Sequence, residues 1–336
     1  MQTSSKRPGQ PQSRPRKTSA KKKIQAISII GAGRMGTALG LALKAAGFQI
    51  QIVVAKRPAR ARRAAQTIGE GALGLSADQL SQLSSTQINR LSSSSLILIA
   101  TPDDAIAAVA RQLAAIFKSD RLKRPSRATR VALHTSGALS AEVLKPLRRA
   151  GFAIGSMHPL ISVSESRSGA GALAQAFFSV EGDPAAVRAA RSVVHDLGAQ
   201  SFVIESRHKS LYHAAAVMSS PQVVALFDMA REMLGRCGVS PGRARQVLLP
   251  LMRSTIENLS KQNPEVALTG TFKRGDAATA RKHIEAMTAA NLPDILRTYL
   301  LLGERSLELA QRAATDSSQF LEIARLVRRK LKSLTP

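Results

Sequence analysis

Between residues 24 and 204, short apolar runs alternate with segments whose apolar residues recur every three or four positions. The runs at 24–30, 48–55, 96–100, 130–135, 152–157, 177–181 and 200–204 predict strands. The segments between them predict helices over 35–46, 58–68, from a cap at Asp103 or Asp104 through 117, and 184–197; the pattern is weaker between 69 and 95. Strands apolar on both faces and joined by helices belong to a parallel sheet, so the expected fold is a doubly wound α/β domain. Beyond Ser206 only helical periodicity remains, over 209–235, 240–261, 276–290 and, with breaks, 293–332. The expected organisation is a tail over 1–23, a dinucleotide-binding type of α/β domain over 24–206, and an all-helical domain over 207–334.

Composition narrows the classes. The chain has 336 residues, enough for two domains with separate cores. Its net charge is +27, and eight Lys or Arg fall within residues 1–23, without any acid. Such a segment has too little apolar surface to offset its ordering entropy, and a disordered basic tail is expected. The remaining excess is scattered as single Lys and Arg residues over helices. It lacks interleaved aromatics and any helix-turn-helix or zinc-ligand pattern, so specific nucleic-acid binding is not expected. No apolar stretch approaches the roughly 18 residues that span a bilayer, and no secretory apolar core follows the basic start; a cytoplasmic protein is expected. Cys237 is the one cysteine, which rules out an intrachain disulfide and leaves no thiolate metal set. It is expected to be a small buried helix residue.

The stretch "ISIIGAGRMGTALG", residues 27–40, places Gly31, Gly33 and Gly36 directly after a strand and at the opening of a helix. In that context the first glycine makes the turn, the second admits a pyrophosphate to the backbone, and the third allows close helix packing. Arg34 and Met35 contribute N–H groups of the same turn. An NAD site places an acid at the end of the second strand to bond the ribose hydroxyls. Here that strand runs into "AKRPARARR", and the first acid in the chain is Glu70. Lys56 and Arg57 suit a 2′-phosphate, which points to NADP(H). Thr101 and Pro102, at the end of the third predicted strand, are expected beside the same dinucleotide.

Polar clusters recur where further strands end: "LHTSGALS" with His134 and Ser136, and "GSMHPL" with His158. In open α/β sheets ligands lie beyond these carboxyl ends. "RHKSLYHAAAVMSS" then opens the helical half, with Lys209 and His213 four apart on one face and Tyr212 one turn from Lys209. An ammonium placed so can polarise a carbonyl oxygen and supply its proton as hydride arrives, with His213, His134 and Ser136 positioning substrate or nicotinamide. A solvated lysine near a helix start fits the spacing equally. In "TGTFKRGD", Arg274 offers a bidentate clamp for a substrate carboxylate, while Asp276 suits a helix cap.

Taken in order, "IIGAGRMGTALG", "ATPDDAI", "HTSGALS", "GSMHPL", "KSLYHAAAVMSS" and "ALTGTFKRGDAAT" resemble the Rossmann-like oxidoreductases whose C-terminal half is a domain of unknown function. These are relatives of ketopantoate reductase, pyrroline-5-carboxylate reductase and the β-hydroxyacid dehydrogenases. The resemblance implies an NADP-type domain, a helical domain that dimerises, and a cleft between the two. Lys209 matches the lysine of the Lys-x-x-x-Asn pattern in ketopantoate reductases and β-hydroxyacid dehydrogenases, but His213 stands where asparagine is usual. Pro221 and Thr271 depart from the pattern as well. The implied activity is NADPH-dependent reduction of a small 2-oxo acid or related carbonyl, ketopantoate among them. The alternatives are reduction of an imine such as pyrroline-5-carboxylate, and an NADP-binding regulatory or scaffold protein without turnover.

Overall fold

The structure, a computed structural model, describes residues 25–118 and 129–334. The basic tail expected at 1–23 lies outside the described residues. Two compact units divide between Val217 and Met218, whereas the sequence pattern changes at residue 206.

The first unit is built on an eight-stranded sheet. Its first half runs β1 (Ala26–Ile30), α1 (Arg34–Ala45), β2 (Gln49–Ala55), α2 (Pro58–Ile68), β3 (Leu73–Ser76), α3 (Ser85–Ser93), β4 (Leu96–Ile99) and α4 (Asp103–Lys118). Its second half runs β5 (Arg130–His134), α5 (Lys145–Arg148), β6 (Phe152–Leu160), α6 (Ser166–Leu173), β7 (Phe177–Gly182), α7 (Pro184–Asp196) and β8 (Gln200–Val203), and then enters α8 (Lys209–Ser219). The spatial order is β3-β2-β1-β4-β5-β6-β7-β8. The strand order therefore reverses between β1 and β4, the crevice where dinucleotides bind in such sheets.

Alternation along the strands sends side chains to two cores. Ile27, Ile29, Val53, Leu98 and Leu133 pack with Leu39 of α1, Ile68 of α2 and Val193 of α7. Ile30, Ile52, Val54, Ile99 and Ile154 pack with Leu91 of α3, Ile106 and Leu113 of α4 and Leu147 of α5. Burial on both faces explains why these strands read as continuous apolar runs.

Three expectations need correction. The sheet is not wholly parallel: β7 pairs antiparallel with β6, and β8 then pairs parallel with β7. The link through the short α6 returns the chain at the end of the sheet where β6 finishes, so no crossover reverses it. Asp103 and Asp104 do not precede α4 but occupy its first turn, where carboxylates complement the helix dipole. The weak stretch at 69–95 holds β3 and α3, the latter opened by a reciprocal capping box between Ser84 and Gln87.

The second unit continues with α9 (Pro221–Arg236), α10 (Pro241–Lys261), α11 (Pro264–Ala267), α12 (Ala277–Ala289), α13 (Pro293–Arg312) and α14 (Leu321–Ser333). Its core joins Ala280, Ile284 and Met287 of α12, Leu296, Leu300 and Leu307 of α13, and Ile323 and Val327 of α14. Asp276 caps α12, accepting from the Thr279 N–H at 2.9 Å. The helix expected over 209–235 is interrupted at Ser220, because Pro221 has no N–H to carry the ladder onward and instead starts α9. Cys237, expected to be buried, is exposed at the C-terminal end of α9.

Candidate active site

The first βα corner is stitched to the neighbouring strand: the Gly31 and Ala32 N–H groups both donate to the Val54 carbonyl, at 2.8 and 2.9 Å. Gly31 has φ +116°, and a Cβ there would lie 2.7 Å from the Thr101 nitrogen, so only glycine brings the turn this close to the end of β4. A Cβ on Gly36 would collide with the Gly31 carbonyl. Gly33 faces open space, with nothing within 4 Å of where its Cβ would stand. Helix α1 starts at Arg34 with no acid in its first turn and no side-chain cap, so its N-terminal N–H groups and dipole are left for an anion. Met35 follows, half-buried. The Thr101 hydroxyl is buried without a hydrogen-bond partner at the crevice, and Pro102 beside it is exposed. Lys56 and Arg57 are exposed at the end of β2, where Arg57 is the N-cap residue of α2. These features fit a nicotinamide dinucleotide: a glycine cradle, a free helix dipole and an orphaned hydroxyl, with two exposed cations at the end of β2.

A row of polar residues crosses the sheet on the α4 side. The strand registers pair His134 with Ser156 and Ser156 with Glu181, so the three side chains leave the sheet on one face. Lys209, the first residue of α8, is only 1% exposed and reaches into this row. Its Nζ donates to Ser156 Oγ at 2.9 Å and to the Ser136 carbonyl at 3.1 Å. Burial lowers its pKa from 10.5 to about 8, against the opposing pull of the Glu181 and Asp103 carboxylates. The ammonium is thus protonated at neutral pH but close to giving up its proton.

Two imidazoles near it, those of His134 and His158, are held uncharged by burial. Tyr212 Oη and His158 Nδ1 share a 2.7 Å hydrogen bond, and the His158 ring meets those of Tyr212 and His213 edge-on at 5.7 and 5.8 Å. Burial, followed by the Lys209 and His213 charges, lowers the His158 pKa to about 4. Burial also raises that of Tyr212. Gly137 lies beneath both histidines: a Cβ on it would sit 2.8 Å from His158 Cε1 and would run into His213 Nδ1. That His213 nitrogen is buried without a partner.

His134 does not line a ligand space. It is fully buried, and both ring nitrogens serve its own loop. Nδ1 accepts from the Ser136 N–H at 3.2 Å, which leaves the proton on Nε2, 3.3 Å from the Ser140 carbonyl. Burial and the Lys209 charge take its pKa to about 3. The Ser136 hydroxyl is likewise engaged, donating to Asp103 Oδ2 at 2.8 Å and accepting from the N–H groups of Ala138 and Leu139. What Ser136 offers the site is its carbonyl. Arg274 is exposed in the second unit, in the turn that Asp276 closes into α12.

Sequence reading missed Ser156 and Glu181. Ser156 stands inside the quoted "GSMHPL", and Glu181 ends the mostly apolar "FFSVE". A polar residue at an inward position of a buried strand is a signal, but only strand register shows that these two are neighbours.

The architecture is that of a Rossmann-type dinucleotide-binding sheet followed by helices. Residues 11–159 match the model of the Rossmann-like domain, and residues 176–306 match the domain of unknown function DUF2520. The two matched regions follow one another along the chain. No curated protein matches it in sequence. Among solved structures, it resembles a Bacteroides fragilis protein assigned as an NADP oxidoreductase, at TM-score 0.64 and 22% identity, covering 85% of this chain and 98% of that one. A Streptomyces aurantiacus imine reductase aligns at TM-score 0.53 and 12% identity, over 92% and 95% of the two chains. The Plasmodium falciparum pyrroline carboxylate reductase, solved with NADP bound, aligns at 0.50 and 12%, over 86% and 99%. At these identities the likeness is one of fold. No helix among the described residues is long and apolar enough to cross a membrane.

Proposed function

We propose that the chain is an NADP(H)-dependent oxidoreductase that reduces a small 2-oxo acid or related carbonyl compound. The observation that carries this reading is the Lys209 ammonium, buried and fixed between Ser156 Oγ and the Ser136 carbonyl, on a sheet whose first βα corner is built for a dinucleotide. Gly31, Gly33, Arg34, Met35 and Gly36 would receive the pyrophosphate, Lys56 and Arg57 the 2′-phosphate, and Thr101 and Pro102 would border the nicotinamide half. Bound there, the coenzyme supplies the hydride. Lys209 polarises the substrate oxygen and delivers the proton; two of its three N–H bonds are held by the protein, which leaves one to aim. His158, oriented by Tyr212, and His213 position the substrate.

The test is fluorescence titration with NADPH and NADH, followed by a substrate panel read as loss of nicotinamide absorbance. NADPH is expected to bind more tightly, and Lys209→Ala to abolish reduction of oxo acids. Tighter binding of NADH, or full activity of Lys209→Ala on oxo acids, overturns the reading.

A second reading, an imine reductase, is supported by the likeness to the imine reductase and the pyrroline carboxylate reductase. A protonated imine needs no acid, so activity on imines that survives Lys209→Ala would favour it. We further propose a homodimer formed through the second unit, where Val247 and Leu251, one turn apart on α10, and Val224 on α9 are exposed apolar residues. Light scattering at monomer mass would refute it.

A further inference from the structure

Given the reductase activity proposed above, we propose that Glu181 is a positioning residue for the proton donor: its carboxylate fastens the turn that launches α8 and faces the Lys209 ammonium across Ser156. Three observations carry this. First, Glu181 is Ser156's partner in the antiparallel register of β6 and β7, and such partners stand side by side on one face of the sheet. Ser156 Oγ itself accepts from Lys209 Nζ, so the carboxylate and the ammonium share a neighbour. Second, Glu181 is 3% exposed, and its hydrogen bonds come from uncharged groups: the Ala141 N–H to Oε1, and the Ser206 hydroxyl to Oε2 at 2.5 Å. Third, Ser206 begins a 3-10 turn, Ser206–His208, that ends where α8 begins at Lys209. The same carboxylate therefore holds the segment that carries the lysine and supplies charge opposite to it.

The charged and titratable groups around Lys209 set what removing this charge does. Asp103 faces it from α4, His134 from β5, His158 from β6, Glu181 from β7, and Tyr212 and His213 share its helix. His134 and His158 are held uncharged by burial, so the opposing charge comes from Glu181 first and Asp103 second. A buried ammonium deprived of its larger counter-charge loses its proton more easily.

The experiment is a titration of the Lys209 side-chain nitrogen, followed by 15N NMR of the full chain, in wild type and Glu181→Gln. Glutamine keeps the shape and removes the charge. The midpoint is expected to fall by about one pH unit or more in the variant. With an active substrate, the alkaline limb of kcat moves down by the same amount while KM stays within about twofold. Glu181→Asp, which keeps the charge one methylene further back, is expected to fall between the two. An unmoved midpoint in Glu181→Gln overturns the proposal; should that variant not fold, an unmoved midpoint in Glu181→Asp does so. A midpoint that falls in a protein without reductase activity upholds the pairing of Glu181 with Lys209 and refutes the reductase reading instead.

Discussion

Lys209→Met gives a stability difference whose pH dependence is set by the buried ammonium. In the folded chain Lys209 titrates at about 8, and in the unfolded chain at its ordinary 10.5. Below pH 8 both states carry the proton, and the fold bears the whole cost of holding a charge away from water. Between pH 8 and 10.5 the folded state releases its proton while the unfolded state keeps it, so protons bound to the unfolded chain exceed those bound to the native one. Stability of the wild type then rises with pH, by about 1.4 kcal/mol per pH unit. Over the whole window this amounts to about 3 kcal/mol. Above 10.5 both states are neutral and stability no longer changes with pH on this account. Methionine has a similar length and does not titrate. Its offset from wild type also includes the loss of the bonds to Ser156 Oγ and the Ser136 carbonyl, but that offset does not follow the lysine's protonation. Wild type minus variant, from urea melts at pH 7, 8, 9 and 10.5, should therefore climb by about 3 kcal/mol between pH 8 and 10.5. A difference that stays level, or one that declines with pH, refutes the claim that the ammonium is buried and depressed.

Gly137→Ala should push the His158 and His213 rings aside, because no Cβ fits beneath them. The expected cost is about 1–3 kcal/mol in a thermal or urea melt, with kcat lower by tenfold or more and NADPH affinity unchanged; wild-type kcat would show that the two imidazoles take no part. Lys56→Ala combined with Arg57→Ala should weaken NADPH by about tenfold or more and leave NADH unaltered in fluorescence titration, since only one of the two coenzymes carries the extra phosphate. Reduction at saturating substrate should be level up to about pH 8 and then fall tenfold per unit as Lys209 loses its proton. A rate that increases with pH through that range would exclude Lys209 as the acid.

Much of the sheet was legible because its strands are buried on both faces: Leu96–Ile99 reads as an uninterrupted apolar run, Arg130–His134 has an apolar centre, and "GAGRMG" follows a strand where a Cβ on Gly31 or Gly36 would meet backbone. β3 was not legible, since its four residues, Leu-Gly-Leu-Ser, are too few and too small to show a period. Lys209 was visible as one of two equal possibilities, and its burial removes the solvated one. His134 misled for a physical reason: a histidine at a strand end can turn either outward to a ligand or back to its own loop, and the choice depends on the Ser136 N–H and the Ser140 carbonyl, which only the folded chain brings within reach. The Ser156–Glu181 pairing depends on β7 lying antiparallel, which no local pattern encodes.

That reversed strand has a consequence for how the molecule can be divided. A polypeptide ending near residue 160, where the match to the Rossmann-like domain stops, would leave β6 as a bare sheet margin, its pairing groups open to any passing chain. It would also lack both the glutamate and the lysine of the polar row. The nucleotide half of this protein is therefore finished only by residues that come after it, and a fragment meant to fold alone should extend through Val217.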